Sequence, residues 1–218
     1  HHPTLQWKDN LIMGRRNVDA TLAQNLASAE SHNARAHVIC DFIEHYGDSR
    51  YDSNVTQKEH ALQTAALALS DKANSSLVIA ALLHDIGHML LSEHAAAPSF
   101  LKKDLRHQNV VCRVLRPYLS KSITGPIALH VEAKRYLCGS DPSYYSKLSD
   151  NTKLSLALQG GPMTATQLRS FEVRTFWRES LRLRRWDDAA KVSKKPTPNL
   201  PFFLPILELA LMQGAEES

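Results

Sequence analysis

Apolar side chains along this chain return roughly every three to four positions, the period of a helix with one buried face, and alternating strand-like runs are scarce. The pattern predicts an all-α fold. A first helical region runs from Val18 to Tyr46, with Ala20, Leu22, Leu26, Val38, Phe42 and Ile43 as apolar positions and Gly47 as its stop. Residues 47–55 read as a polar loop. Thr56-Gln57-Lys58-Glu59 has the form of a capping box, which places His60 in the first turn of a helix ending near Ser70. Asn74-Ser75-Ser76 caps the next helix, an apolar run carrying His84, Asp85 and His88. Another helix is expected from Lys103 to Arg116, stopped by Pro117, with His107 on the same stripe as Val110, Val111 and Val114. Pro126 suits the first turn of a helix holding Ile127, Leu129, His130 and Lys134, with Gly139 at its end. Asp141-Pro142 and Asp150-Asn151 look like further helix starts, and Gly160-Gly161-Pro162 is a break. Helices from Thr164 to Glu172 and Thr175 to Lys191 follow, the second holding Arg184 and Asp187. After the proline-rich stretch 196–205 comes a short helix from Ile206 to Met212.

Composition narrows the class. With 218 residues, 43% hydrophobic and 22% charged, the chain can bury a sizeable core, and Gly totals only 8. Residues 1–13, opening on His1-His2, read as a tag or leader, and residues 14–218 as one domain with a C-terminal helical extension. No apolar run reaches membrane-spanning length, so no membrane partner is expected. The three cysteines, Cys40, Cys112 and Cys138, are odd in number and far apart. A disulfide framework is not expected, and a reducing cytoplasm is the expected location. The net charge of +4 owes much to Arg182, Arg184, Arg185, Lys191, Lys194 and Lys195. With little aromatic interleaving, that run reads as a solvated face and not as a nucleic-acid surface. Oligomeric state is not legible.

The chemistry is carried by His60, the His84-Asp85 pair, His107, His130 and Asp187, each on a separate expected helix. His-Asp in the middle of an apolar run puts a charge where water is excluded, and a metal ion is one partner that makes this tolerable. Any one of these histidines alone could be an ordinary core residue. Several inward imidazoles each need a hydrogen-bond partner, whereas a shared metal site satisfies them together. Adjacent residues on a helix lie about 100° apart, so His84 and Asp85 approach a central metal pair from neighbouring directions. If Asp85 bridges two ions, one has His60, His84, Asp85 and Asp187, and the other has Asp85, His107 and His130. The second set, two histidines and a carboxylate, suits iron and leaves positions open. Thiolates play no part.

These residues match the H…HD…D pattern of the HD-domain superfamily, an all-helical fold of metal-dependent enzymes. Longer segments, Leu82-Leu-His-Asp-Ile-Gly-His88, Lys134-Arg-Tyr-Leu-Cys138 and Arg184-Arg-Trp-Asp-Asp188 among them, resemble the phosphonate-degrading HD-domain dioxygenases over about residues 37–210. The resemblance implies a mixed-valence pair of iron ions held by His60, His84, Asp85, His107, His130 and Asp187. It implies O2 as co-substrate and a small organophosphonate as substrate. It further implies phosphonate contacts from His88, Lys134 and Arg184, and from a hydroxyl between Thr152 and Ser155. Helical spacing agrees: His88 lies one turn beyond His84, Lys134 one turn beyond His130, and Arg184 three residues before Asp187. Two irons as Fe(II)/Fe(III) outweigh the charges of Asp85 and Asp187, which leaves a cationic centre suited to an anion.

At the amine end the sequence departs from the family's best-known pattern. In 2-amino-1-hydroxyethylphosphonate oxygenases, the loop before the first histidine carries a tyrosine that guards the iron and a glutamate that receives the ammonium. Here it reads Arg50-Tyr51-Asp52-Ser53-Asn54, with Tyr51 as guard or as an ordinary loop aromatic, and no glutamate. A trimethylammonium group suits an aromatic face, so the loop favours the trimethylated substrate, giving glycine betaine, over the primary amine. Two competing expectations are a metal-dependent phosphohydrolase of the same fold and a regulatory domain that has lost its metals.

Overall fold

The computed structural model describes residues 18–52, 54–90 and 107–216, and among them the chain is helical throughout. Among the described residues, an isolated antiparallel bridge between Arg50 and Thr56 is the one extended pairing. In chain order the helices are α1 (Val18–Ser28), α2 (His32–Tyr46), α3 (Gln57–Ser70), α4 (Ser75–Leu83), α5 (Ile86–Leu90), α6 (His107–Leu115) and α7 (Lys121–Ser140). They continue with α8 (Pro142–Lys147), α9 (Asp150–Leu158), α10 (Ala165–Glu172), α11 (Trp177–Ala189) and α12 (Leu200–Glu216). None of them is long and apolar enough to cross a membrane.

Several expected boundaries shift, each for a local reason. The first helical region is two helices, because the Ser31 hydroxyl accepts from the Ala34 amide and starts a new helix there. The capping box at Thr56 and Glu59 is present as expected, and Asn74 caps α4. The helix expected to carry His84, Asp85 and His88 without interruption stops at Leu83 and restarts at Ile86. Pro126 lies inside α7 and not in its first turn, because the apolar stripe begins a turn earlier with Ile123. Phe176 adopts left-handed backbone (φ 66°), which delays the start of α11 to Trp177. The last helix is longer than expected, with Leu200, Phe203, Leu207, Ala210, Leu211 and Gly214 buried along one face. The expected Lys103 start and the reading of residues 1–13 lie outside the described residues.

The main core joins α1–α7 with α11 and α12. Its centre is α4, all seven apolar side chains of which are buried from Leu77 to Leu83, so this helix is walled in on every side. Helix α3 packs against α4, and its buried apolar positions are Ala61, Ala65 and Ala68, small enough for close helix approach. Helix α7 packs on both α4 and α11, which brings three of the residue-bearing helices together. A satellite cluster of Leu129, Ala133, Met163 and Phe171 fixes α10 on α7. A third, of Cys138, Leu148 and Leu156, holds α8 and α9 against the end of α7. The intervening turn uses Gly160 and Gly161 at φ 101° and 68°, as the Gly-Gly-Pro break requires.

Candidate metal centre

Four side chains meet in the middle of the bundle. His60 comes from the first turn of α3, His84 and Asp85 from the turn between α4 and α5, and Asp187 from the last turn of α11. All are buried, and one ligand atom from each lies within 4.8 Å of the others. His60 Nε2 is 3.2 Å from His84 Nε2, 3.4 Å from Asp85 Oδ2 and 3.3 Å from Asp187 Oδ1. On adjacent residues of the turn after Leu83, His84 Nε2 and Asp85 Oδ2 lie 3.4 Å apart.

The histidines are aimed by backbone carbonyls. His60 Nδ1 lies 2.9 Å from Ala190 O, His84 Nδ1 2.8 Å from Ala81 O, and His130 Nδ1 2.7 Å from Ile127 O. A carbonyl only accepts, so each ring carries a proton on Nδ1 and turns Nε2 inward, the nitrogen for which a metal would compete with a proton. The Ala81 carbonyl is available because α4 ends at Leu83, which leaves its last carbonyls without amide partners. Ala190 is held in turn by Gln63, one turn beyond His60: its Nε2 donates to Val192 O (2.8 Å), and its Oε1 accepts from Val192 N (3.1 Å).

Asp85 faces two ways. Its Oδ2 is turned to His60 and His84, while Oδ1 lies 3.6 Å from His130 Nε2 and 3.8 Å from His88 Nε2. His107 opens α6, but its side chain lies outside the described residues. The donor set of imidazole nitrogens and carboxylate oxygens, without a thiolate, fits a divalent or trivalent transition metal.

Charge is unevenly distributed in this pocket. Burial opposes protonation of His84, but Asp85 and Asp187 overcome it and raise its pKa to about 10; His60 is raised for the same reasons. Against its own burial, Asp187 is held well below the usual carboxylate range by Arg184, whose Nη1 is 2.9 Å from its Oδ2. Tyr51 donates to Asp187 Oδ1 at 3.2 Å, and its ring stacks on His60 with centroids 3.7 Å apart and planes at 10°. Desolvation, then the Asp187 charge, pushes the Tyr51 phenol well above its ordinary pKa. The loop earns this placement with a tight turn: Tyr51 N donates to Val55 O, and Asp52 Oδ1 accepts from Asn54 N and Val55 N.

Of the residues expected at the anion, Lys134 is buried on α7, and its Nζ donates to Ser155 Oγ on α9 at 3.3 Å. The Thr152 hydroxyl is paired with Ser149 Oγ in the cap of α9. His88 lies beside Asp85, and Arg184 between Asp187 and Asp188.

The HD domain profile matches residues 58–152, which spans His60, His84, Asp85 and His130. The chain is 41% identical over 183 residues to hydroxymethylphosphonate dioxygenase of Gimesia maris, covering 84% of this chain and 91% of that one. The chain belongs to the HD-domain phosphonate dioxygenase family. As a member of this HD family it is an oxygenase. It is also 35% identical over 175 residues to the glycine-betaine-forming [1-hydroxy-2-(trimethylamino)ethyl]phosphonate dioxygenase of Leisingera caerulea, covering 78% of this chain and 89% of that one. An uncharacterized protein of Acanthamoeba polyphaga mimivirus is 30% identical over 171 residues, 76% of each chain.

In the sequence of this HD oxygenase, Gln63, Tyr144, Asp188 and the three carbonyls carry no assigned role. Asp188 alone had a signal, since it stands four residues after Arg184, the spacing of a helical ion pair. Gln63 is one more polar residue on an alanine-rich helix, and a carbonyl leaves no mark on the letters at all.

Proposed function

We propose that this chain is an iron-dependent dioxygenase that cleaves the carbon–phosphorus bond of a 1-hydroxyphosphonate, with hydroxymethylphosphonate as the favoured substrate. The observation that carries the metal reading is the split Asp85 carboxylate: one oxygen faces His60 and His84, the other His130, as a ligand bridging two ions requires. His60, His84 and Asp187 would complete one metal's set, with His130 and His107 serving the second. Two irons, when bound, supply the activation of O2 and the electron transfer that the bond cleavage needs.

The chain's own residues bind, orient and shield. Lys134, His88 and Arg184 offer N–H donors to phosphonate oxygens, and Ser155 holds Lys134 in place. Tyr51 covers Asp187 Oδ1 and closes that flank of the cluster to water.

Tyr51 also bears on the substrate's tail. One face of its ring is stacked on His60, and Lys191 Nζ lies over the ring 5.5 Å from the centroid. A trimethylammonium group on this ring would have to displace Lys191, and the lysine ammonium repels a cationic tail of either kind. This supports a compact, uncharged tail over the trimethylated substrate that the loop sequence favours, in keeping with the name of the Gimesia maris relative.

The test compares hydroxymethylphosphonate with the primary-amine and trimethylated hydroxyphosphonates on Fe(II)-loaded protein in air, following O2 uptake and phosphate release. Stoichiometric uptake and release, greatest with hydroxymethylphosphonate, is the expected result. Release of phosphate from phosphate esters without O2 uptake would overturn it in favour of a phosphohydrolase.

A further inference from the structure

Arg184 is 6% exposed and lies between two carboxylates of its own helix. Its Nη1 forms an ion pair with Asp187 Oδ2 at 2.9 Å. Its other edge meets Asp188 side-on: Nε donates to Oδ2 at 3.2 Å and Nη2 donates to Oδ1. From α8, the Tyr144 hydroxyl donates to Asp188 Oδ2 and accepts from Arg184 Nε at 3.4 Å. Pairing along one edge of a guanidinium is planar and bidentate, so Asp188 fixes both the position and the plane of the fork. The hydrogen bonds to Asp188 take two of the five N–H groups, on Nε and Nη2, which leaves N–H groups on Nη1 and Nη2 for a further acceptor beside Asp187.

Neutralising Arg184 does not by itself require this arrangement. Asp187 already supplies one negative charge in contact with it, and a second carboxylate next to an anion site works against anion binding. Tyr144 comes from a separate helix that is anchored by its own small cluster, so Asp188 is gripped from two directions.

We propose that Asp188 and Tyr144 are positioning residues for substrate: together they set the Arg184 guanidinium so that it spans the metal-site carboxylate Asp187 and one phosphonate oxygen. This rests on the phosphonate reading above. A purely charge-balancing Asp188 has the opposite signature, since removing its charge would tighten the binding of an anion.

Asp188→Asn, Asp188→Glu and Tyr144→Phe are compared with the unaltered protein, all Fe(II)-loaded. The measurements are KM and kcat for hydroxymethylphosphonate, the inhibition constant of inorganic phosphate, and iron per chain. Asp188→Asn is expected to raise KM and the phosphate inhibition constant together by about tenfold or more, with a smaller change in kcat and iron retained. Asp188→Glu recovers part of the loss, and Tyr144→Phe shifts both constants in the same direction by roughly threefold to fivefold. Unchanged or lowered constants in Asp188→Asn overturn the proposal, as does a loss confined to kcat or iron content that Asp188→Glu does not recover. If the unaltered protein turns over no hydroxyphosphonate, the functional reading fails instead. Protection of the same iron-loaded variants by inorganic phosphate against thermal unfolding then decides the positioning role separately.

Discussion

Asp85 illustrates how much one side chain carries here. Its two oxygens face different histidines, so Asp85→Asn exchanges one of two oxygen donors for an amide nitrogen that is no ligand. The variant is expected to bind less than half the iron of the unaltered protein and to lose phosphate release, read by metal analysis and a phosphate assay on the same sample. Lys191 makes a subtler prediction. Lys191→Gln removes the charge above Tyr51 and is expected to raise kcat/KM for the trimethylated substrate relative to hydroxymethylphosphonate by about threefold to tenfold. A ratio that does not move would show that the tail lies elsewhere. At this scale the letters were informative where a residue type is rare in its setting. A histidine or aspartate on a buried stripe stands out, and His60, His84, Asp85 and Asp187 all do. Gln63 and Tyr144 look ordinary, because what distinguishes them is a partner far away in the chain.

Among the elements, the α4–α5 break is the instructive departure. The run from Ser76 onward satisfies a helix at every position, so periodicity reads it as continuous. The turn falls at His84-Asp85, where both side chains meet one centre, and nothing in local propensity marks it. The left-handed Phe176 is likewise invisible to propensity, whereas the caps at Thr56, Asn74 and Asp141 were legible, since capping is local chemistry. The Gln63 clasp ties α3 to the segment that leaves α11. Gln63→Leu removes both hydrogen bonds to Val192, with a stability cost of about 1–3 kcal/mol for the pair. It also loosens Ala190 from His60, and metal affinity is expected to fall about 10-fold to 100-fold in a chelator competition. Affinity equal to that of the unaltered protein would mean that Ala190 keeps its place without the clasp.

For the molecule as a whole, metal and protons compete for one cavity. Without metal, the His84 proton is held up to a pKa of about 10, against about 6.5 in an unfolded chain. A raised folded pKa gives stability that is complete below the unfolded value and lost as pH climbs through the folded one. Metal-free protein is therefore expected to lose Tm between pH 7 and pH 10, whereas metal-loaded protein, whose imidazoles are already deprotonated, is not. Loading at roughly a hundred times Kd adds about 2.7 kcal/mol, or about 5–10 °C in Tm for a chain of this length. Thermal melts with and without chelator across that pH range check both: a gap that narrows as pH rises contradicts the competition.

The three carbonyls that steer His60, His84 and His130 have a consequence for how such an enzyme ages over generations. Every amino acid at positions 81, 127 and 190 brings the same C=O, so no codon change short of proline distortion erases the acceptor. Ligand orientation is thus written into the course of the main chain, where drift in side-chain identity leaves it intact.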